Sequence, residues 1–248
     1  MSGTFKDLFS VNAEDYARFR PGYPPQLFKY FASLTDNHGL AWDVGTGNGQ
    51  AAIELARYYK RVIATDPSIR QLEQAMANKN VNYMVGPAEK SPLADHSADL
   101  ITVAQAFHWF QQDAFFKEVK RVSKPNALLA VWCYEIAKIS PEIDAKVTEL
   151  YETVLGNYWE PERKLVQEGY RNEIFPFEEI KAPKFELEFS WSLEQLIGYI
   201  CTWSALQKFI KQEGHNPLNT FYPDLQKIWG DEKTKKITWN LALRVQRV

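Results

Sequence analysis

The 248-residue sequence contains few of the features that mark secreted or membrane proteins. Only two cysteines are present, Cys133 and Cys201, and each lies in its own apolar stretch, so we expect reduced thiols rather than a disulfide. No apolar run reaches the roughly 20 residues that a membrane helix needs. Residues 1–20 also lack the apolar core of a signal peptide. We therefore expect a cytoplasmic protein without a membrane partner.

The sequence also lacks an excess of charge of either sign. Its 29 Lys and Arg residues nearly balance its 31 Asp and Glu residues, and the net charge is -2. This balance leaves no global electrostatic attraction to nucleic acid or to an anionic membrane surface. The four histidines and two cysteines show no zinc-type spacing, so we predict neither a nucleic-acid partner nor a metal site.

What the sequence does contain is a regular alternation of short apolar strands with helices. Strand–helix–strand repeats at this spacing give right-handed crossovers and a parallel sheet. The predicted strands lie at 40–44, 62–65, 81–85, 99–103 and 127–133, and the predicted helices at 26–34, 50–59, 68–77 and 112–122. After Pro141 the pattern changes to helices at 142–155, 160–169, 193–211 and 222–229, with strands at 184–191 and 237–245.

These elements predict an α/β fold with a doubly wound, mostly parallel seven-stranded sheet whose last strand is antiparallel, plus a helical cap. We expect one domain over residues 1–248. Its core comprises about 26–140, 184–192 and 237–248, and its cap is built from 1–25, 141–172 and 193–230.

A glycine-rich turn, Asp43-Val44-Gly45-Thr46-Gly47-Asn48-Gly49, joins the first strand to its helix. Glycines allow positive φ values and let a ligand approach the backbone closely, and the helix N-terminus offers free N–H groups. A dinucleotide site has the spacing Gly-x-Gly-x-x-Gly, but here the third glycine falls one position early and Gln50 takes its place. The Asp43 carboxylate would repel a pyrophosphate, yet it suits the ammonium of a methionine moiety, directly or through water. The turn therefore favours S-adenosylmethionine over a nicotinamide dinucleotide.

A second acid, Asp66, ends the second predicted strand. A carboxylate at this strand tip can accept both ribose hydroxyls of an adenosine, in either cofactor. The alternative role is a helix cap in the Asp-Pro-Ser turn. With the glycine turn in register, the ribose role is favoured.

Beyond these two features, residues 39–133 resemble the class I S-adenosylmethionine-dependent methyltransferases. Residues 86–93, Gly-Pro-Ala-Glu-Lys-Ser-Pro-Leu, and residues 97–103 are similar to the methyltransferase type 11 branch, which includes ubiquinone-biosynthesis-like enzymes. Residues 104–110, together with 16–24 and 202–204, resemble a narrower set that includes trans-aconitate and cantharidin-type methyltransferases. The resemblance implies a Rossmann-like fold, S-adenosylmethionine as cofactor, S-adenosylhomocysteine as product and no metal.

The resemblance also implies roles for individual residues. Pro87 stands where the branch usually has an acid that faces the adenine amino group, so adenine recognition would rest on the neighbouring residues. Gly45, Thr46 and Gly47 would wrap around the amino-acid part of the cofactor, and Asp66 would bind its ribose. Ala88 and Glu89 would flank the adenine. Ala104 and Gln105 would line the cofactor from the end of the fourth strand.

Aromatic and cationic residues near the expected site are candidates for contacts with the cofactor and the acceptor. Aromatic faces stabilise a sulfonium by cation–π contact, so Tyr16 is a candidate cofactor contact, although core packing explains such rings equally well. Phe107, Trp109 and Trp203 are candidates for the substrate pocket. Arg20 could clamp a carboxylate of the cofactor or the substrate, or it could be an ordinary surface arginine.

Methyl transfer from a sulfonium mainly requires alignment and the exclusion of water. His108, just past the fourth strand, would act as a base on a hydroxyl acceptor, would only orient a carboxylate acceptor, or is structural. We expect O-methylation of a small-molecule carboxylate or hydroxyl by a monomer or weak homodimer. The alternatives are a nicotinamide-dependent oxidoreductase and an adenosylmethionine-binding protein without catalysis.

Overall fold

The structure, a computed structural model, describes residues 19–248. Tyr16, a predicted cofactor contact, lies outside the described residues. Within them, the strands are β1 (Leu40–Val44), β2 (Arg61–Asp66), β3 (Val81–Val85), β4 (Ala98–Ala104), β5 (Ser123–Tyr134), β6 (Glu178–Ile180), β7 (Phe185–Trp191) and β8 (Lys235–Arg247).

These strands form a single mixed sheet in the order β3-β2-β1-β4-β5-β8-β6, with β7 also paired to β8. Strands β1 to β5 are parallel, and β8 runs antiparallel to β5. The predicted α/β sheet with an antiparallel last strand is confirmed. The chain reverses its direction of winding between β1 and β4, and in open α/β sheets ligands bind outside the carboxyl ends of strands at such a switch point.

The outer edge of the sheet explains why eight strands appear among the described residues where seven were predicted. Strands β6 and β7 both pair with β8, through Ile180 with Val245 and through Phe185 with Leu241. Pro183 lies between them and has no backbone N–H to donate to the ladder. The outer strand is therefore interrupted and divides into two.

Helices cover both faces of the sheet. They are α1 (Pro25–Leu34), α2 (Gln50–Leu55), α3 (Ile69–Leu72), α4 (Gln112–Val122), α5 (Pro141–Thr148), α6 (Arg163–Gln167), α7 (Leu193–Cys201), α8 (Ser204–Glu213) and α9 (Leu218–Trp229). A π-helical turn, Glu149–Val154, follows α5, and a short 3₁₀ helix, Phe107–Trp109, follows β4. The predicted helix at 68–77 contracts to α3. The predicted helix at 193–211 divides into α7 and α8 because the Thr202 hydroxyl bonds to the Tyr199 carbonyl and ends the first.

Two apolar cores hold the helices to the sheet. On one face, α1 and the helices after β5 pack around buried aromatic residues such as Phe28, Phe31 and Trp132. On the other face, α4 packs Phe115 and Val119 against β1 and β4. Strand β4 is buried along almost its whole length, as expected for a parallel strand covered on both sides. These cores fix the loops at the carboxyl ends of the strands, where the candidate site lies.

Candidate functional site

A cavity of about 350 Å³ opens at the carboxyl ends of β1, β2 and β4. Its walls come from the glycine turn, from the loops after β2, β3 and β4, and from the segment before α1. The predicted site residues that line this cavity are Arg20, Gly45, Thr46, Gly47, Asp66, Ala88, Glu89, Ala104, Gln105 and Trp109. The residues that the structure places elsewhere are Asp43, Phe107, His108 and Trp203.

The glycine turn has the backbone geometry that its sequence predicts. Gly45, Gly47 and Gly49 all have positive φ values, of 65°, 57° and 84°. A Cβ on Gly45 would come within 2.5 Å of the Cβ of Ala106, so a side chain there would push the turn away from the loop after β4. The Thr46 N–H donates to the Thr65 carbonyl at 3.0 Å and ties the turn to the end of β2. The turn is thus tied to the end of β2 and lies against the loop after β4.

Asp66 lies at the tip of β2 and lines the cavity. One carboxylate oxygen accepts the Gly47 N–H and the other accepts the Ser68 N–H, each at 2.8 Å. An ionised carboxylate oxygen can accept more than one hydrogen bond, so these two bonds do not by themselves exclude a ribose contact. Asp66 thus stabilises its own turn and lies on the cavity wall, and its contact with a ribose stays a prediction.

Asp43 lies behind the glycine turn and is completely buried. Its two oxygens accept the hydroxyls of Thr46 at 2.6 Å and Thr102 at 2.7 Å. Burial raises the pKa of Asp43 to about 6, against the lowering effect of these hydroxyls. The predicted direct contact with an ammonium is corrected on this point, because Asp43 does not line the cavity. Any influence of Asp43 on a ligand would pass through Thr46, which lines the cavity.

Two predicted residues form the wall at the end where the adenine was expected. Ala88 and Glu89 line the cavity beside Pro87. A carboxylate oxygen of Glu89 accepts the Gln111 N–H at 2.8 Å, and this bond ties the loop after β3 to the start of α4. Glu89 therefore has a fixed position at the cavity edge.

Gln105 shows the clearest sign of a missing partner. It has a φ of 56°, an uncommon value for a residue with a side chain, and its N–H donates to the Trp132 carbonyl at 2.9 Å. Its side-chain Nε2 is buried and has no hydrogen-bond partner, although Gln105 lines the cavity. Buried polar atoms are rarely left unpaired. A ligand acceptor in the cavity would satisfy this amide.

At the end of the cavity nearest the helical cap, residues from distant parts of the chain meet. Arg20 donates to the Tyr134 hydroxyl at 2.9 Å and to the Thr202 carbonyl at 3.3 Å, and its guanidinium lies 5.3 Å from the Tyr199 ring centroid. Sequence reasoning missed several lining residues here, namely Tyr23, Phe110, Tyr134 and Glu162. Tyr23 and Phe110 lie in the stretches 16–24 and 104–110 that carry the narrower resemblance, but no motif marks Tyr134 or Glu162.

The structure corrects the interpretation of His108 as a base. His108 is 7% exposed, does not line the cavity, and its Nδ1 lies 3.0 Å from the Tyr170 hydroxyl. Burial, and secondarily the charge of Arg163, lower the pKa of His108 to about 3. The imidazole therefore stays neutral at physiological pH and is held in the core, so a structural role explains it.

Two aromatic residues predicted for the substrate pocket belong to the cores instead. Phe107 is completely buried and stacks on Phe175 with ring centroids 5.1 Å apart, because it points to the face covered by α4. Trp203 is 3% exposed and packs edge-on against Tyr151 at 5.4 Å. Neither residue lines the cavity, whereas Trp109 does.

Residues 19–248 contain no group of three or more histidine, cysteine or acidic side chains that could hold a metal ion. Among the helices of this part of the chain, none combines the length and apolar content needed to cross a membrane.

Comparisons with known proteins identify the family that this chain resembles. Residues 42–131 match the family model described as a methyltransferase domain. A Dictyostelium discoideum protein provisionally named a methyltransferase is 38% identical over 237 residues, which cover 92% of this chain and 90% of that protein. A solved structure from Anaeromyxobacter dehalogenans, provisionally described as a type II methyltransferase, is 40% identical with a TM-score of 0.86, and covers 92% of this chain and 98% of that one. A Saccharomyces cerevisiae protein named as S-adenosylmethionine-dependent is 28% identical over 51% of this chain and 45% of that protein.

Proposed function

Because the chain belongs to the class I S-adenosylmethionine-dependent methyltransferases, we propose that it methylates a carboxylate oxygen of a small organic acid. In this proposal the acceptor is a small molecule, and the reaction requires no nucleic-acid partner. It is carried by one observation: the cavity joins a cofactor-like half, at the glycine turn and Asp66, to a cap-side end that holds the guanidinium of Arg20.

The residues of the first half fit the cofactor. Gly45 and Gly47 form a cradle whose backbone conformation a side chain would strain. Asp66, on the cavity wall, would accept the ribose hydroxyls, and the unpartnered amide of Gln105 would donate to an acceptor on the amino-acid part of the cofactor. Ala88 and Glu89 would flank the adenine. When bound, the cofactor supplies an electrophilic methyl carbon with a neutral thioether as leaving group.

The chain's own contribution is to bind the acceptor, orient it and exclude water. Such positioning is worth about 7–11 kcal/mol in well-oriented reactions. A carboxylate acceptor is already ionised at neutral pH, so no protein group has to remove a proton. A hydroxyl acceptor would need a base, and His108, neutral but buried away from the cavity, is not in position to serve. Glu162 lines the cavity and is the group that a hydroxyl mechanism would use.

The test is transfer of isotopically labelled methyl groups to matched acceptors. Cinnamic acid, cinnamyl alcohol and cinnamamide present a carboxylate, a hydroxyl and a neutral amide on one framework, and benzoic acid with its alcohol and amide gives a second series. We expect label in the acids only, in a product that releases methanol on alkaline hydrolysis, as an ester does.

A Glu162→Gln variant separates the two chemistries. Turnover of the acids should persist, because no proton leaves the acceptor. Label in a base-stable product, with turnover abolished in Glu162→Gln, would replace the carboxylate acceptor with a hydroxyl one.

A further inference from the structure

We infer that Tyr83 is a positioning residue for the cofactor, because its ring holds Gly49, the third glycine of the turn, in place. The inference rests on the proposed function, in which the glycine turn wraps around the cofactor. Tyr83 lies in the middle of β3 and does not line the cavity, whereas Asn48 and Gln50, on either side of Gly49, do. Any effect of Tyr83 on cofactor binding therefore has to pass through the turn.

The ring of Tyr83 fills the space where a side chain of residue 49 would stand. A Cβ on Gly49 would lie 2.8 Å from Cε1 and 2.9 Å from Cζ of that ring, and closer still to its hydroxyl oxygen. Non-bonded carbon atoms pack at about 3.5–4.0 Å, so a side chain here would displace the ring or the turn. Gly49 also has a φ of 84°, in the left-handed region. The early third glycine, which distinguishes this turn from a dinucleotide site, is thus required by the backbone and by Tyr83 together.

Tyr83 is itself held at its hydroxyl and along its ring. The hydroxyl donates to the Met76 carbonyl at 3.0 Å, in the segment after α3. Burial, and secondarily the charge of Asp43, raise the pKa of Tyr83 to about 12, so the phenol stays protonated and keeps donating at physiological pH. The ring packs against the core on the α1 face of the sheet. Tyr83 therefore links β3 and the segment after α3 to the glycine turn.

Gly49 is the residue at which the turn becomes a helix, so its position determines the position of both. Its N–H donates to the Thr46 carbonyl and its carbonyl accepts the Ile53 N–H, each at 3.0 Å. Thr46 and Gln50 line the cavity, so a shift of Gly49 would move cavity residues before and after it. A binding site has to hold its contact groups within about 0.5 Å of the productive geometry. A support on Gly49 should therefore be measurable as cofactor affinity.

The experiment combines substitutions of Tyr83 and Gly49. Tyr83→Phe keeps the ring atoms Cε1 and Cζ, whereas Tyr83→Leu keeps apolar bulk that ends short of these positions. Gly49→Ala is made in the wild type and in Tyr83→Leu. The control is Tyr222→Leu, because Tyr222 is also a half-buried tyrosine at the margin of the same core and does not line the cavity. Calorimetry measures S-adenosylhomocysteine affinity, and thermal melting of the free protein reports folding.

We expect Tyr83→Leu to bind S-adenosylhomocysteine at least fivefold more weakly, while Tyr83→Phe and Tyr222→Leu stay within twofold of the wild type. Gly49→Ala should cost at least tenfold in affinity in the wild type. In Tyr83→Leu the same substitution should cost less than threefold, because the added methyl group no longer meets the ring. The positive φ burdens alanine in both backgrounds, so its effect cancels when the two losses are compared.

Three results would overturn the inference. Unchanged affinity in Tyr83→Leu would mean that the ring does not support the turn. An equal loss in Tyr222→Leu would assign the effect to damage of the shared core. An equal cost of Gly49→Ala in both backgrounds would mean that the backbone alone requires glycine. The contrast between Tyr83→Phe and Tyr83→Leu decides the question even if Gly49→Ala does not fold. Failure of the proposed function reads out differently: Tyr83 and Gly49 would remain coupled in cofactor binding, yet the labelled methyl group would appear in no ester.

Discussion

Replacing Asp43 with asparagine should stabilise the protein at neutral pH. The carboxyl is completely buried, and burial raises its pKa from 3.8 to about 6. The folded state therefore holds the proton more tightly than the unfolded chain, and stability falls as pH rises between these two values. At about 1.4 kcal/mol for each tenfold change in proton concentration, the ionised group costs about 3 kcal/mol above pH 6. Asparagine avoids this cost because it cannot ionise.

The geometry allows the replacement. The amide oxygen of an asparagine can accept one of the two hydroxyls now bound, and its NH₂ can donate to the other, at the positions of Thr46 and Thr102. For a chain of this size 1 kcal/mol corresponds to about 2–4 °C in melting temperature, so Asp43→Asn should melt roughly 6–12 °C higher at pH 8. The gain should shrink to about half at pH 5, where the wild-type carboxyl is largely protonated in the fold.

The assay is thermal unfolding followed by circular dichroism at pH 5 and pH 8. Asp36→Asn serves as the control, because Asp36 is exposed and its replacement should change the melting temperature at neither pH. If the negative charge of Asp43 stabilises the bound cofactor through Thr46, Asp43→Asn should also bind S-adenosylhomocysteine about tenfold more weakly, a loss of about 1.4 kcal/mol. An Asp43→Asn protein that melts below the wild type at pH 8 would refute the reasoning.

Three further substitutions test other parts of the site. Asp66→Ala removes a carboxylate that accepts two backbone N–H groups, so calorimetry should show S-adenosylhomocysteine affinity falling about 10- to 100-fold and melting should show a loss of about 2–4 kcal/mol. Gly45→Ala places a Cβ 2.5 Å from that of Ala106 at a positive φ, and should abolish S-adenosylhomocysteine binding while lowering the melting temperature. His108→Gln, which alters the contact with the Tyr170 hydroxyl, should lower the melting temperature yet leave turnover of an accepted acid within about threefold, far from the 10²–10⁴-fold loss of a general base.

Each of these expectations has an opposing result. Unchanged cofactor affinity in the Asp66 variant would return that residue to the role of a turn cap. Full binding by the Gly45 variant would mean that the turn does not contact the cofactor. A hundredfold loss of turnover in the His108 variant, with normal melting, would restore His108 as a base and move the acceptor next to it.

The first half of the fold was predictable because its strands are short, apolar and bounded by glycine, proline or aspartate. Strands β1 and β3 begin and end at the predicted residues. The second half was less so, because helical periodicity does not reveal where side chains end a helix early. Thr202 divides one predicted helix through a hydrogen bond that the periodicity does not reveal. The three-residue strand β6, on the other side of Pro183 from the predicted strand 184–191, was not predicted because its pairing with β8 leaves no pattern in so short a segment.

The cofactor half of the site was predictable for a similar reason, since the glycine turn and Asp66 are local features at adjacent strand ends. The cap side was not. Tyr134 and Glu162 come from separate segments, and only the packing of the cap around them brings them near Arg20. Sequence position just after β4 also does not determine which face a side chain takes, and for this reason Phe107 lies in the core rather than in the cavity.

The central claim is that this cavity binds S-adenosylmethionine through the glycine turn and Asp66. Calorimetric titration of the wild type with S-adenosylhomocysteine and, separately, with NADH tests it most directly. We predict binding of S-adenosylhomocysteine in the micromolar range, about -8 kcal/mol, that weakens in Asp66→Ala, with no heat from NADH. Binding of NADH without binding of S-adenosylhomocysteine would contradict the claim.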